Sequence, residues 1–461
     1  MKVAIVGSGS SALACAVRLK KENIDFTLFE KESSPGGKLI TERIDDFLIE
    51  GGPDSFLPEK HWTVDLIKEV GLSDELLPTN DRYKGTYIYS GGRLHRLPEG
   101  VMLMVPTMIM PLVKSRLISW PGKIRMGMEL FVPGRKDDED ESLARFVTRR
   151  LGRECLEKIA EPLVAGIHTS NPDNMSVKAI FPRFLDMERT HGSLIRGMTA
   201  AMGKGRPQGK EESKMTYFMS LKEGMQALVD GCLAFIGAQN VATGSEVREI
   251  SKNGGGYGLL VGSEQMSFDA IVLTAPSYAA SGMVRSVDPV LAEQLSAIEW
   301  SSTATISLAF RIGEVPPKLP GFGFLVPRIE KRRINAATWS SIKWSYRAPS
   351  DHVLVRCFVG GGHDEEMVSY DDKDLLKLVL EELGAIAGIR AKPVITRVFR
   401  WIKSMPRYTV GHIDRVASID ERLVALPGLY LIGSSYRGIG IGDCVKSGFD
   451  AASEIASFAR S

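Results

Sequence analysis

The sequence predicts an α/β fold, and three observations in its first thirty residues carry that prediction. Val3-Ala4-Ile5-Val6 is an all-apolar run ending at Gly7, with the length and composition of a buried parallel strand. Ala12, Leu13, Ala16, Val17 and Leu19 then recur at helical spacing, and the polar Lys20-Lys21-Glu22-Asn23 closes that segment. Phe26-Thr27-Leu28-Phe29 is a second short apolar run, ending at Glu30. Strand, helix and strand in this order make a βαβ unit, and such units build parallel sheets.

The turn between the first strand and the helix, Gly7-Ser8-Gly9-Ser10-Ser11-Ala12, has the form GxGxxA. Gly7 permits the tight turn, Gly9 lets the backbone approach a pyrophosphate without a Cβ in the way, and small Ala12 allows the helix to pack closely on the strand. Ser10 and Ser11 open the helix, where free N–H groups and the helix dipole favour phosphate. Glu30, with Lys31 beside it, lies about 20 residues on and is placed to accept hydrogen bonds from a ribose hydroxyl. A glycine-rich turn without a ligand explains the glycines alone. It does not explain the strand, helix, second strand and terminal acid together, so the segment reads as a Rossmann-like dinucleotide-binding unit.

Two further glycine pairs follow in Ser33-Ser34-Pro35-Gly36-Gly37-Lys38 and Glu50-Gly51-Gly52-Pro53-Asp54-Ser55, either as ordinary turns or as backbone held close to a ligand. Far along the chain, Leu429-Tyr430-Leu431-Ile432-Gly433 reads as a buried strand. It precedes Gly438, Gly440, Gly442, Asp443 and a small-residue helix through Gly448, Ala451 and Ala452. A late strand, loop and helix returning to the nucleotide suits a large two-headed cofactor, FAD. Asp443 is placed either to accept from ribityl hydroxyls or to cap that helix. Ser267–Pro276 is a further buried-strand candidate, and Val241–Ile250 with Asn253-Gly254-Gly255-Gly256 reads as strand and hairpin.

Bulk properties exclude several classes. Among 461 residues, 58 bases against 56 acids leave a net charge of +2, too balanced to argue for a nucleic-acid partner. Hydrophobic residues at 44% and charged residues at 25% exclude wholesale disorder, and the length suffices to bury a core without staples. The five cysteines (Cys15, Cys155, Cys232, Cys357, Cys444) are odd in number and unclustered, which fits no disulfide framework and points to a reducing cytosol. Four apolar residues at Val3–Val6 are too few for a signal peptide. No CxxC, HExxH or Ser/His/Asp-like grouping appears, so no metal site is expected, and the hard chemistry falls to the cofactor.

The most hydrophobic stretch, Val101 to Val113, has thirteen residues and two prolines, and cannot cross hydrocarbon. Lys114, Arg116, Lys123 and Arg125 follow it, so 101–125 reads either as an interfacial patch with a basic flank or as a buried pocket wall filled by methionines. Gly203–Lys214 reads as an exposed loop, and the acidic run Asp137–Glu141 as a solvated cap before a helix.

These motifs, together with Gly321-Phe322-Gly323-Phe324-Leu325-Val326-Pro327, Met405-Pro406-Arg407-Tyr408, Gly411-His412 and Gly438–Cys444, resemble the oxygen-dependent protoporphyrinogen/coproporphyrinogen oxidases from end to end. Pro162–His168 and Ser404-Met405-Pro406 look closest to the bacterial, coproporphyrinogen-using branch. The resemblance implies an FAD-binding domain from residues 1–84, 215–285 and 405–461, an α+β substrate domain at 286–404, and a mostly helical membrane-contact or substrate-covering insertion at 85–214. It implies removal of six electrons from a porphyrinogen in three flavin cycles during haem synthesis, with O2 reduced to hydrogen peroxide. A cytoplasmic protein, peripheral on the inner face of the cell membrane and without a transmembrane helix, is expected.

The residues carried over by resemblance are Phe322 and Leu325 as a substrate sandwich, Gly166 and Ile167 as its small-residue floor, and Phe358 as a further cavity wall. For FAD they are the Gly7–Ala12 turn, Glu30, Lys31, Gly36, Gly37, Lys38, Gly51, Gly52, Pro53, Asp54, Gly433, Gly440, Gly442 and Asp443, with Val247 meeting the adenine through its backbone. Trp401 either stacks near the cofactor or fills the core, and His412 and Tyr408 precede the closing FAD segment. Thr86 stands where some members carry a propionate-binding arginine, leaving Arg93, Arg96, Lys178 and Arg347 as candidate cations. Competing readings are another flavin amine oxidase, a carotenoid desaturase, or a flavin-fold escort protein without catalysis.

Overall fold

Strand β1 (Lys2–Val6) is apolar from Val3 onward and fully interior, as a strand flanked on both edges and covered on both faces must be. It pairs in parallel with β2 (Asp25–Phe29) on one edge and with Ala270–Leu273 on the other. Val241–Ala242 and Leu429–Leu431 complete a five-stranded sheet, in which every pair is parallel. The computed structural model in which this is seen describes residues 1–102, 104–203, 215–362 and 364–460; most of the predicted loop Gly203–Lys214 lies outside them.

Helix α1 (Ser10–Lys21) is the crossover from β1 to β2, and it buries Ser11–Val17 and Leu19. A helix so nearly apolar all round needs cover on several sides, and Gln226–Ile236 and Ile441–Arg460 supply it. At Gly448 a Cβ would stand 2.3 Å from the Ser11 carbonyl oxygen, so the two helix backbones touch where only glycine fits. Val247–Asn253, Gly256–Val261 and Glu264–Phe268 form an antiparallel meander. The predicted strand and hairpin of 241–256 thus divide, Val241–Ala242 joining the parallel sheet and the rest the meander. These elements belong to one compact unit assembled from Met1–Thr79, Met215–Glu299 and Ile413–Ser461.

A second unit comprises Asn80–Lys214 and Trp300–His412. Its seven-stranded sheet runs in the order Ile395–Pro406, Trp300–Arg311, His352–Gly360, Ala336–Trp339, Gly323–Leu325, Tyr87–Ser90, Arg93–Arg96. Neighbours are antiparallel except Gly323–Leu325 with Tyr87–Ser90. One face carries Ala304, Ile306, Leu308, Val355 and Cys357 into a core shared with Leu375, Val379 and Leu383 of helix Asp372–Ala387. That helix is capped by the Asp371 side chain accepting from Asp374 N, and it ends at left-handed Gly388.

The helical part of this unit has its own apolar core, including Ile118, Leu143, Phe146, Val147 and Phe184. Inside it, Arg150 and Glu129 are fully buried and ion-paired; Glu129 also accepts from Leu194 N at 2.8 Å and Ser193 Oγ at 2.5 Å. The acidic run is solvated at Asp137, Asp138 and Glu139, as its composition suggests, but not at its C-terminal end. Glu141 is buried against Arg149 at 2.6 Å, Asp140 accepts from Ser176 Oγ at 2.6 Å, and the helix Leu143–Arg150 is capped by Ser142.

Candidate functional site

At the end of β1 the chain turns through Gly7, which admits no side chain: its φ is +100°, and a Cβ there would stand 2.5 Å from Thr274 Oγ1. Buried Ser8 donates from Oγ to the Glu30 carboxylate and accepts from Gly36 N at 2.9 Å, tying the second glycine pair to the first turn. The other Glu30 oxygen accepts from Glu32 N at 3.0 Å, and the Glu30 carbonyl accepts from Ser245 N at 2.8 Å. That last bond brings the segment leading into buried Val247 against the acid at the tip of β2. Lys31 is exposed beside Glu32.

Helix α1 begins at Gly9 with no side-chain cap, and among the described residues no atom beyond Gly9's own chain neighbours lies within 4 Å of where a Gly9 Cβ would stand. Its first N–H groups therefore have no side-chain acceptor at the cap. A Gly37 Cβ would lie 3.2 Å from Gly9 Cα, and Lys38 follows, its ammonium lowered to about 8 by burial against an opposing influence from Cys444. Gly51 N donates to the Ile40 carbonyl at 2.8 Å, buried Gly52 and half-buried Pro53 follow, and the Asp54 carbonyl accepts from Ser220 Oγ at 2.7 Å. Gly433 N donates to Ser447 Oγ at 3.3 Å, and Ser447 meets Ser11 at 3.4 Å, joining the late helix to α1. The Asp443 carboxylate is held by Lys60 Nζ at 2.5 and 2.6 Å, and Gly440 and Gly442 lie beside this pair. A helix start without a side-chain cap, a buried acid at a strand tip and a half-buried lysine fit FAD.

In the second unit, register sets the other candidate residues. The face opposite the helix-covered core carries one row of paired positions, Leu325, Ala336, Phe358, Thr305 and Phe399. A Cβ on Gly166 would stand 3.3 Å from Leu325 Cδ2, so helix Glu161–His168 lies against this row. Ile167 belongs to that helix, but its side chain lies outside the described residues. Phe322 is half-buried at the strand entrance, its N donating to Gly85 O and its O accepting from Trp339 N, both at 2.9 Å. Trp401 stands in this unit, opposite Thr303 on the Phe358 face. Tyr408 and His412 stack with ring centroids 4.0 Å apart.

The candidate cations scatter. Arg93 and Arg96 are exposed on the edge strand, Arg96 paired with Glu99; Lys178 reaches Asp138 at 3.7 Å; Arg347 is fully buried. Sequence reasoning missed Arg356, which is buried on the same face two residues before Phe358, its guanidinium 5.0 Å from that ring's centre. Ser307 and Thr338 are its cross-strand partners. The signal was present in His352–Gly360, where one charge interrupts an apolar strand at a position that alternates away from the core.

The apolar stretch is neither uniformly buried nor uniformly exposed. Met104, Val105 and Leu112 are interior, whereas Met108, Met110 and Ile109, the last 80% exposed, face outward. Trp120, Ile124, Met128 and Phe131, spaced four, four and three residues apart on helix Trp120–Gly127 and the turn after it, are also exposed, Phe131 to 81%. Lys123 Nζ lies 4.5 Å over the Trp120 ring. Among the described residues no helix is long and apolar enough to cross a membrane.

A family model described as flavin containing amine oxidoreductase matches residues 12–456. The chain is 35% identical over 464 residues to a coproporphyrinogen III oxidase of Bacillus subtilis (strain 168), covering 99% of this chain and 98% of that one. To the protoporphyrinogen oxidase 2, chloroplastic/mitochondrial, of Arabidopsis thaliana it is 27% identical over 491 residues, covering 100% and 94%. A crystal structure from Exiguobacterium sp. 255-15, assigned as a protoporphyrinogen oxidase, superposes with a TM-score of 0.87 at 32% identity, covering 99% of both chains. Because these matches run the length of the chain and not only its N-terminal βαβ unit, the protein belongs to the flavin containing amine oxidoreductases.

Proposed function

We propose that this FAD-dependent oxidoreductase converts a porphyrinogen, coproporphyrinogen III in preference to protoporphyrinogen IX, to the porphyrin in haem synthesis, with O2 as terminal acceptor. The observation that carries this reading is the sheet face on which Leu325, Ala336 and Phe358 form one row and Arg356 the next. A flat macrocycle with carboxylate arms needs an apolar wall and a cation beside it. The higher identity to the coproporphyrinogen III oxidase favours the substrate with four propionates.

Bound FAD supplies the two-electron acceptor. The Gly7–Ala12 turn would hold its pyrophosphate on the first N–H groups of α1, Glu30 its ribose, and Val247 its adenine, with Gly36, Gly37, Lys38 and the Gly51–Asp54 segment alongside. Leu325, Phe322 and Phe358, floored by Gly166, orient the macrocycle and keep water from the reacting carbon. Arg356 binds a propionate and, being permanently charged, takes no proton. Each step removes a hydride from a methylene bridge and a proton from the macrocycle, two of the three protons leaving pyrrole nitrogens and the third leaving the fourth methylene bridge; three steps remove six electrons and reduce three O2 to hydrogen peroxide.

Anaerobically prepared coproporphyrinogen III and protoporphyrinogen IX, offered separately before air is admitted, test the proposal. Porphyrin fluorescence should rise with about three peroxides per porphyrin, faster with coproporphyrinogen. Failure with both removes this function, and a colourless protein would favour the escort reading. The exposed stripe Trp120, Ile124, Met128 and Phe131, with Ile109 and the flanking lysines and arginines, supports peripheral contact with an anionic membrane face. Ile109→Glu with Phe131→Glu should abolish co-sedimentation with anionic liposomes, and unchanged binding would reject that contact. Met104 is unsuited to this test, because it is fully buried.

A further inference from the structure

A cleft of about 1450 Å³ opens in the second unit, and neither Leu325, Phe358 nor Gly166 lines it. It is nonetheless built from the continuations of the same elements. Val326 follows Leu325, and Asn335 donates from N to the Phe358 carbonyl at 2.8 Å and from Nδ2 to the Gly360 carbonyl at 2.6 Å. Glu161 opens the helix that carries Gly166. The volume exceeds the roughly 300–1000 Å³ of pockets for drug-sized ligands. A macrocycle with extended arms is of the size it admits.

Eight basic side chains line the cleft against six acidic ones. Most of the bases are already engaged: Arg149 with Glu141 and Glu188, Arg153 with Glu157, Arg333 with Glu381. Arg145, on helix Leu143–Arg150, and Lys331, just after the turn Arg328–Glu330, are exposed and have no ion-pair partner among the described residues. Lys331 is held at φ +52°, a left-handed conformation that is unusual for a lysine. Glu161 accepts from Arg328 N at 3.1 Å, and burial pushes its carboxyl up to about 7, so near neutrality it adds less than a full negative charge to this lining.

We infer that this cleft is a second binding site, for the carboxylates of the porphyrin product, in which Arg145 and Lys331 are the cations available to pair with them. The inference rests on the porphyrinogen reading. It gives the product a place of residence apart from the face on which it is formed, so that release and a new turnover need not wait for one another.

Coproporphyrin III is the probe, titrated into the flavin-loaded protein and followed by its fluorescence and Soret absorbance. The wild type should bind two equivalents per chain. Arg145→Glu with Lys331→Glu should bind one, or bind the second at least tenfold more weakly, with unchanged initial rates of porphyrinogen oxidation. Equal stoichiometry and affinity in wild type and variant overturn the cleft, as does a single equivalent in the wild type that the substitutions leave untouched. The two failures are distinguishable: a protein that oxidises neither porphyrinogen, yet loses coproporphyrin on substitution, refutes the function and keeps the site.

Discussion

Around Gly7–Ala12 the candidate site is built from backbone N–H donors, whereas on the seven-stranded sheet it is built from the side chains of Leu325, Phe358 and Arg356. A site made of backbone constrains residue type at each position, because a Cβ either collides or obstructs the ligand. A site made of side chains constrains register, because only pairing decides which residues stand in one row. The first should therefore fail abruptly under a single substitution, and the second should lose affinity by degrees.

Gly9→Val tests the abrupt half and carries the largest expected effect. Since nothing among the described residues beyond its chain neighbours lies within 4 Å of that Cβ, the variant should fold and yet exclude the pyrophosphate. It should purify colourless, with its absorbance near 450 nm lost and activity abolished even at excess FAD, while circular dichroism stays that of the wild type. A yellow, active variant would show that the turn is not the phosphate site.

Arg356→Gln tests the graded half. Losing one charge-assisted hydrogen bond to a propionate, worth about 1.5–3 kcal/mol, should raise KM about tenfold or more with kcat little changed and the flavin spectrum intact. Arg356→Lys should recover part of the loss. Unaltered KM for both porphyrinogens would remove Arg356 from substrate recognition.

The smallest effect is expected from Glu161→Gln, behind the Gly166 floor. Because the folded-state pKa of Glu161 is raised to about 7, the native state favours the neutral carboxyl. The stability this confers is complete below the ordinary carboxylate pKa and is lost as pH rises through about 7. Thermal melts of the two proteins should coincide near pH 4.5 and diverge upward, the glutamine variant gaining roughly 1–3 kcal/mol by pH 8. Parallel melting across that range would contradict a buried, neutral Glu161.

The same contrast explains what the sequence disclosed. Strand, turn, helix and acid at the N-terminus follow one another within thirty residues, so local pattern sufficed to read them, and the late strand and small-residue helix were legible for the same reason. The second sheet draws strands from residues 87 to 406, and no local pattern states that Leu325, Ala336 and Phe358 share a row. Arg356 was overlooked because a charge inside an apolar strand gains meaning only once the covered face is known. Trp120 and Ile124 fall inside the expected 101–125 patch without being singled out, and Met128 and Phe131 lie beyond it, although the spacing of four, four and three already marks one helix face.

The contact of Gly448 with the Ser11 carbonyl has a consequence for biosynthesis. Helix Ile441–Arg460 covers α1, and Leu429–Leu431 closes an edge of the β1 sheet, yet both are translated about four hundred residues after the βαβ unit they complete. At about 5–20 residues per second, that leaves the side of α1 that packs on Ile441–Arg460 without its cover for on the order of a minute. Flavin capture by this cradle is therefore an event of the finished chain, and a nascent chain stalled before residue 441 would present an apolar helix to chaperones in its place.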